Sequence, residues 1–162
     1  ARTRSPIIWL LANLKNALLL STSNRSEGDV GYATMDGDTS GSISPIAGVD
    51  KDFVIHWLQW AEKNLDRPGL RAVNSLTPTA ELRPQERSQT DEKDLMPYSL
   101  LVEIERLEIR DRQSPLEVFV ALRKKNEFAE SELKEYIKKF FRLWSRNQSR
   151  TTRIRASRFR YV

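Results

Sequence analysis

At 162 residues, with 39% hydrophobic content and a net charge of +5, the chain fits one domain of ordinary size and holds enough apolar material for a core, which excludes a disordered polymer. It has no cysteine and one histidine, His56, so disulfide frameworks, thiolate nucleophiles, Cys-based metal sites and most His-based schemes are excluded as well. No window reaches the roughly eighteen apolar residues of a membrane span, and the run Ile7 to Leu14 is broken by Asn13 and lacks a small-residue cleavage site, so a soluble, cytoplasmic chain is expected.

Ser5-Pro6 is a helix-start signature, a hydroxyl cap followed by proline at the first helical position. Ile7, Ile8, Leu10, Leu11 and Leu14 then supply a broad apolar face, and a helix is expected to about Asn13, broken by Lys15-Asn16. Ala17-Leu18-Leu19-Leu20 is a wholly apolar run of the kind buried on both faces of a parallel sheet. Helix, tight turn and buried strand suggest a doubly wound α/β unit. In such sheets ligands sit beyond the carboxyl ends of the strands, which is where Ser21, Thr22 and Ser23 fall.

Asn24 to Val30 reads as a short helix, with Glu27 three residues after Asn24 in the capping-box pattern. Asp36 to Ser44 is a polar loop of Gly, Asp, Ser and Thr, and Pro45 and Gly48 keep the chain irregular as far as Asp50. From Lys51, capped by Asp50, the residues Phe53, Val54, Trp57, Leu58 and Ala61 recur at helical spacing to Asn64, and Pro68-Gly69 closes an amphipathic helix expected to pack on the sheet. Lys51 is a cation at a helix start, where the dipole disfavours it by some tenths of a kcal/mol; a neighbouring phosphate would resolve the mismatch.

Residues 71 to 96 are dense in Pro, Thr, Gln, Arg and Asp and read as an irregular excursion. Pro97 to Ile109, Pro115 to Lys125 and Ser131 to Arg146 are expected as three more helices. There is no internal repeat. After Glu135 the chain carries nine cations, from Lys138 to Arg160, and no acid, so the remainder is net negative by four. Such a tail needs an anionic partner, an acidic surface of the same chain, or plain solvation.

The segment Leu18 to Lys51 resembles, closely, the second half of the synthetase domain of NAD synthetases. The match is carried by Ala1-Arg2-Thr3-Arg4, Thr22-Ser23-Asn24-Arg25-Ser26-Glu27, Gly31-Tyr32-Ala33-Thr34, Gly37-Asp38, Pro45-Ile46, Lys51 and Pro78-Thr79-Ala80-Glu81-Leu82. The Ser-Gly-Gly-x-Asp-Ser loop with which that family grips pyrophosphate does not occur here, and the chain opens without Met. It therefore reads as a fragment: residues 1–162 as the C-terminal portion of such a domain, with 139–162 a basic tail.

The resemblance implies an α/β fold, part of a doubly wound parallel-sheet domain of the adenine nucleotide alpha hydrolase (ATP pyrophosphatase) type, the fragment itself being predominantly α-helical with one or two strands left from the larger sheet. It implies an enzyme that transfers AMP from ATP to the nicotinate carboxylate of deamido-NAD, after which ammonia attacks the acyl-adenylate. ATP and Mg²⁺ are the implied cofactors. Positioning and charge neutralisation carry chemistry of this kind.

Residue by residue, the resemblance places ATP contacts at Thr22, Lys51 and Thr79. It places deamido-NAD contacts at Glu27, Tyr32, Thr34 and Arg150, and ties Glu27 to Mg²⁺. Local readings stand beside these: Thr22 and Thr79 as turn residues, Glu27 as a capping-box carboxylate, Tyr32 as a packed aromatic, Lys51 as a solvated lysine. Arg150 keeps the register of a family Asn-x-x-Lys pattern with Arg in place of Lys, a change of reach and hydration. Met35 departs from the Lys or bulkier residue that many relatives carry. His56 and the four tryptophans read as structural.

Gln89-Thr90-Asp91-Glu92 and Asp94-Leu95-Met96-Pro97-Tyr98 look like the glutamine-dependent branch, which implies a glutaminase domain elsewhere in the full-length chain, a homo-oligomer, and a fragment inactive by itself. Two rivals are weighed. Another ATP pyrophosphatase-type amide-forming synthetase would share the sheet but not the Thr22 to Lys51 block. A basic nucleic-acid module would exploit the tail arginines, yet from Arg150 on Phe159 and Tyr161 are the sole aromatics among them and no nucleic-acid motif accompanies them.

Overall fold

The computed structural model describes residues 2–77 and 91–147. Among them the regular structure is helical: α1 (Arg4–Leu14), α2 (Arg25–Val30), α3 (Lys51–Asn64), α4 (Gly69–Asn74), α5 (Asp91–Asp94), α6 (Tyr98–Glu105) running into a π-helical turn (Arg106–Arg110), α7 (Pro115–Arg123) and α8 (Glu130–Arg146). None of these helices is long and apolar enough to cross a membrane. The described chain forms two compact units, one from the described residues of Ala1–Lys51 and Phe140–Val162, the other from Asp52–Lys139.

In the first unit, α1 starts two residues earlier than its signature suggests, at Arg4 instead of Pro6. Ser5 lies inside the first turn, and its hydroxyl donates to Ser40 Oγ at 2.6 Å instead of capping the helix. Pro6 still falls in that turn, where its missing N–H costs nothing. The helix stops at Lys15, with Asn16 in the left-handed region at φ +48°. Its apolar face is largely open, Leu14 being 72% exposed.

The buried strand expected at Ala17 to Leu20 is corrected: the segment makes one parallel bridge, Leu20 to Ile43, and Leu18 and Leu20 are 62% and 53% exposed. An apolar run becomes a buried strand only when strands flank it and a layer covers each face; within this unit it has one neighbour. That neighbour is stitched on by Ser21 N–H to the Ile43 carbonyl and Ser42 N–H to the Leu19 carbonyl, both 2.8 Å. The buried set of the unit mixes Val30, Ala33, Ala47 and Phe140 with the polar Ser21, Ser23, Asn24, Ser26, Asp29 and Ser44.

The second unit has the apolar core. Leu95, Met96, Tyr98, Leu100, Leu101, Ile104 and Leu107 are buried, as are Val118 and Leu122 of α7 and Leu133 and Ile137 of α8. Ser114 and Glu117 form a full capping box at the start of α7, with Pro115 at its first position. Two expectations change here. The stretch 71–96 contains α4 and α5, while 78–90 lies outside the described residues. And α3 has the predicted bounds but not the predicted packing: Phe53 and Trp57 are 57% and 48% exposed and only Ala61 of the helix is buried, since no sheet is present among the described residues to receive that face.

Candidate functional site

Beyond the Leu20 bridge the chain turns into α2, and local chemistry fixes that turn. Asn24, in extended conformation, accepts the Glu27 N–H on its side chain at 3.0 Å, while Glu27 Oε2 accepts the Asn24 N–H at 3.4 Å. The helix ends on Gly31 at φ +62°, with the Gly31 N–H bonded to the Gly28 carbonyl and the Tyr32 N–H to the Glu27 carbonyl. That pair of bonds is a Schellman closure, and it requires a residue that tolerates the left-handed region.

The start of α3 is tied to the start of α2. Arg25 N–H donates to the Val49 carbonyl at 2.8 Å, its guanidinium pairs with Asp50 at 3.1 Å, and Ser26 Oγ accepts the Lys51 N–H at 3.3 Å. These contacts bring the Lys51 ammonium to 3.5 Å from Glu27 Oε1, both side chains being less than a quarter exposed. Burial raises the Glu27 pKa above the ordinary carboxylic value, against the opposing pull of Lys51 and of the Asn24 hydrogen bonds. Both of its oxygens have partners, but at long range, so lone pairs remain for another ligand.

Thr22 is exposed two residues beyond the Leu20 bridge and lines a hollow of about 260 Å³ with Arg4, Ser5, Leu20, Ser21, Asp38 and Ser40. The loop 34–43 forms its far wall. Ser21 and Ser23 hydroxyls both donate to the Asp38 carbonyl, at 2.9 and 3.1 Å, and the Thr34 N–H donates to Asp38 Oδ2 at 2.7 Å. Ser40 Oγ receives the Trp9 indole N–H at 2.7 Å as well as Ser5. Gly41 passes so close that a Cβ there would sit 2.9 Å from the Ser21 nitrogen.

Of the predicted site residues, Glu27 and Lys51 are brought together, Thr22 faces the hollow, and neither Glu27 nor Lys51 is part of its lining. Tyr32 and Thr34 follow directly on the α2 closure and are half-buried. Thr79 and Arg150 lie outside the described residues. For Mg²⁺, no cluster of three or more candidate ligands occurs among the described residues. Glu27 offers one carboxylate, the protein share typical of an ion held mainly by substrate phosphates, and fits the group to that extent.

Sequence reasoning passed over three contacts. The Arg25–Asp50 pair and the Ser26 contact join residues about 25 positions apart, and Asn147 Nδ2 donates to the Val30 carbonyl at 3.1 Å across 117. No local pattern encodes them. The Asp38 carboxylate, by contrast, accepts the Thr34 N–H only four residues back, within a loop whose Gly and Asp content marks it as a turn.

The sequence model of a family described as NAD synthase matches residues 1–144. Glutamine-dependent NAD(+) synthetase of Aquifex aeolicus is 40% identical over 73% of this chain and 20% of its own length, and that of Arabidopsis thaliana is 33% identical over 94% of this chain and 23% of its own. The crystal structure of a glutamine-dependent NAD(+) synthetase from Cytophaga hutchinsonii superposes with a TM-score of 0.77 at 54% identity, over 92% of this chain and 22% of that one. An NMN synthetase from Francisella tularensis shares the fold at a TM-score of 0.64 and 18% identity, over 93% of this chain and 51% of that one. The chain thus spans about a fifth of the length of the curated relatives it matches.

Proposed function

The chain belongs to the NAD synthase family, and from that premise we propose that it supplies one wall of the site at which a longer synthetase amidates deamido-NAD with ATP. A carboxylate resists ammonia because oxide is a poor leaving group. Transfer of AMP from ATP to the nicotinate carboxylate, with loss of pyrophosphate, converts that oxygen into a good one, and ammonia then displaces AMP to leave the amide. Glutamine is the proposed nitrogen source, hydrolysed in a glutaminase domain outside this chain, in line with relatives named as glutamine-dependent.

The observation that carries this reading is the Glu27–Lys51 pair, held together where α2 and α3 begin. Lys51 would neutralise phosphate oxygens of ATP, and the Thr22 hydroxyl would accept or donate a hydrogen bond to the same nucleotide. Glu27 would hold Mg²⁺ together with the phosphates; the ion, when bound, spreads the negative charge of the polyphosphate. Tyr32 and Thr34, leaving the α2 closure, would line the deamido-NAD side, and Arg150 would reach it from the tail. Thr79 is the third proposed ATP contact. A homo-oligomer of the longer protein completes the proposal.

The test uses the longer protein with ammonium as nitrogen donor, so that glutamine hydrolysis is bypassed. Lys51→Met is expected to lower kcat/KM for NAD formation by about 10- to 150-fold, the worth of a hydrogen bond to a charged group. Wild-type activity in that variant would overturn the assignment.

A further inference from the structure

The Glu27 carboxylate is carried by a helix of only six residues, too short to hold its own geometry, and something outside α2 must do so. Its first turn is tied to α3 by Arg25 and Ser26. Its last turn meets Asn147, just past the end of α8. The Asn147 amide donates to the Val30 carbonyl at 3.1 Å, one of the terminal carbonyls a helix leaves without an internal partner. The side chain is also packed on the turn itself: a Cβ on Gly31 would come within 2.9 Å of Asn147 Cγ.

We propose that Asn147 is a positioning residue for the Glu27–Lys51 pair, clamping the Schellman closure of α2 from the end of α8. The link is short and continuous. Asn147 fixes Val30 and Gly31, the Gly31 and Tyr32 amides bond to the carbonyls of Gly28 and Glu27, and the Glu27 side chain projects from that same residue toward Lys51. The clamp also sets where Tyr32 and Thr34 leave the helix. The inference rests on the nucleotide-site reading of the pair, and it adds a residue that touches no substrate.

Two variants of the longer protein test it: Asn147→Ala removes donor and bulk, while Asn147→Asp keeps the size and loses the donor. Both are expected to melt near the wild-type temperature, to exchange the Gly31 and Tyr32 amides about tenfold faster in hydrogen–deuterium exchange, and to lower kcat/KM about tenfold, the scale of one buried hydrogen bond. The loss should fall mainly on kcat and leave KM for ATP within about twofold, because Asn147 touches no substrate. An Asn147→Asp protein with wild-type exchange would overturn the clamp, since packing alone would then suffice. Faster exchange with unchanged kcat, or a loss carried by KM alone, would overturn the positioning role. Should the wild type form no NAD, the nucleotide reading falls by itself, and amide exchange in the two variants still upholds or overturns the clamp.

Discussion

Glu27 shows how one residue serves two demands. As the third residue of α2 its carboxylate closes the capping box, and as the partner of Lys51 it stands half-buried where water would otherwise stabilise its charge. Its folded pKa is raised above 4.5, so the fold binds this proton more tightly than the unfolded chain does. Stability from this group is therefore greatest below the unfolded value and declines as pH rises through that value to the folded one. Lys51 opposes the shift. Lys51→Met is accordingly expected to push the Glu27 pKa further up, read by carbon-13 titration of the Glu27 carboxyl; a downward movement would show that Lys51 does not stabilise the charged carboxylate. The local half of this behaviour was legible, because Asn24-x-x-Glu27 is a short-range pattern. Burial of Glu27 was not, since it depends on α3 being tied to α2 through Asp50 and Ser26.

Elements that encode their own ends were read well. Asn24 caps α2, Ser114-Pro115 opens α7, and α3 runs from Lys51 to Asn64 as its apolar spacing requires. Ser114→Ala should cost about 1 kcal/mol in chemical denaturation by removing the α7 box, with turnover per folded molecule unchanged. Elements whose form depends on distant neighbours are not legible in this way. Ser5 carries a cap signature but is drawn to Ser40, the Leu18 to Leu20 run lacks the strands that would bury it, and α6 passes into a π-helical turn that no periodicity announces. Gly31→Ala is the sharper test at this scale. A Cβ in the left-handed region costs about 1–2 kcal/mol, and here it also meets Asn147. The loss should exceed that range in urea denaturation, and a loss within it would mean that Asn147 yields freely.

Across the molecule, apolar surface is left open on α1, on Leu18 and Leu20, and on the Phe53 and Trp57 face of α3. Exposure of that extent marks surface meant for another body. The 162-residue chain expressed alone is expected to form no NAD and to self-associate, and Leu18→Lys with Leu14→Lys should shift its sedimentation profile toward monomer; NAD formation by the isolated chain would refute the fragment reading. The Leu20 to Ile43 bridge has a consequence of its own. It holds one end of the loop 34–43, while the Asp38 and Ser40 hydrogen bonds and the close approach of Gly41 to Ser21 pin it from within, so a residue added next to Ser40 or Gly41 would undo a tie as surely as one removed. The length of this loop is thereby gauged from both sides.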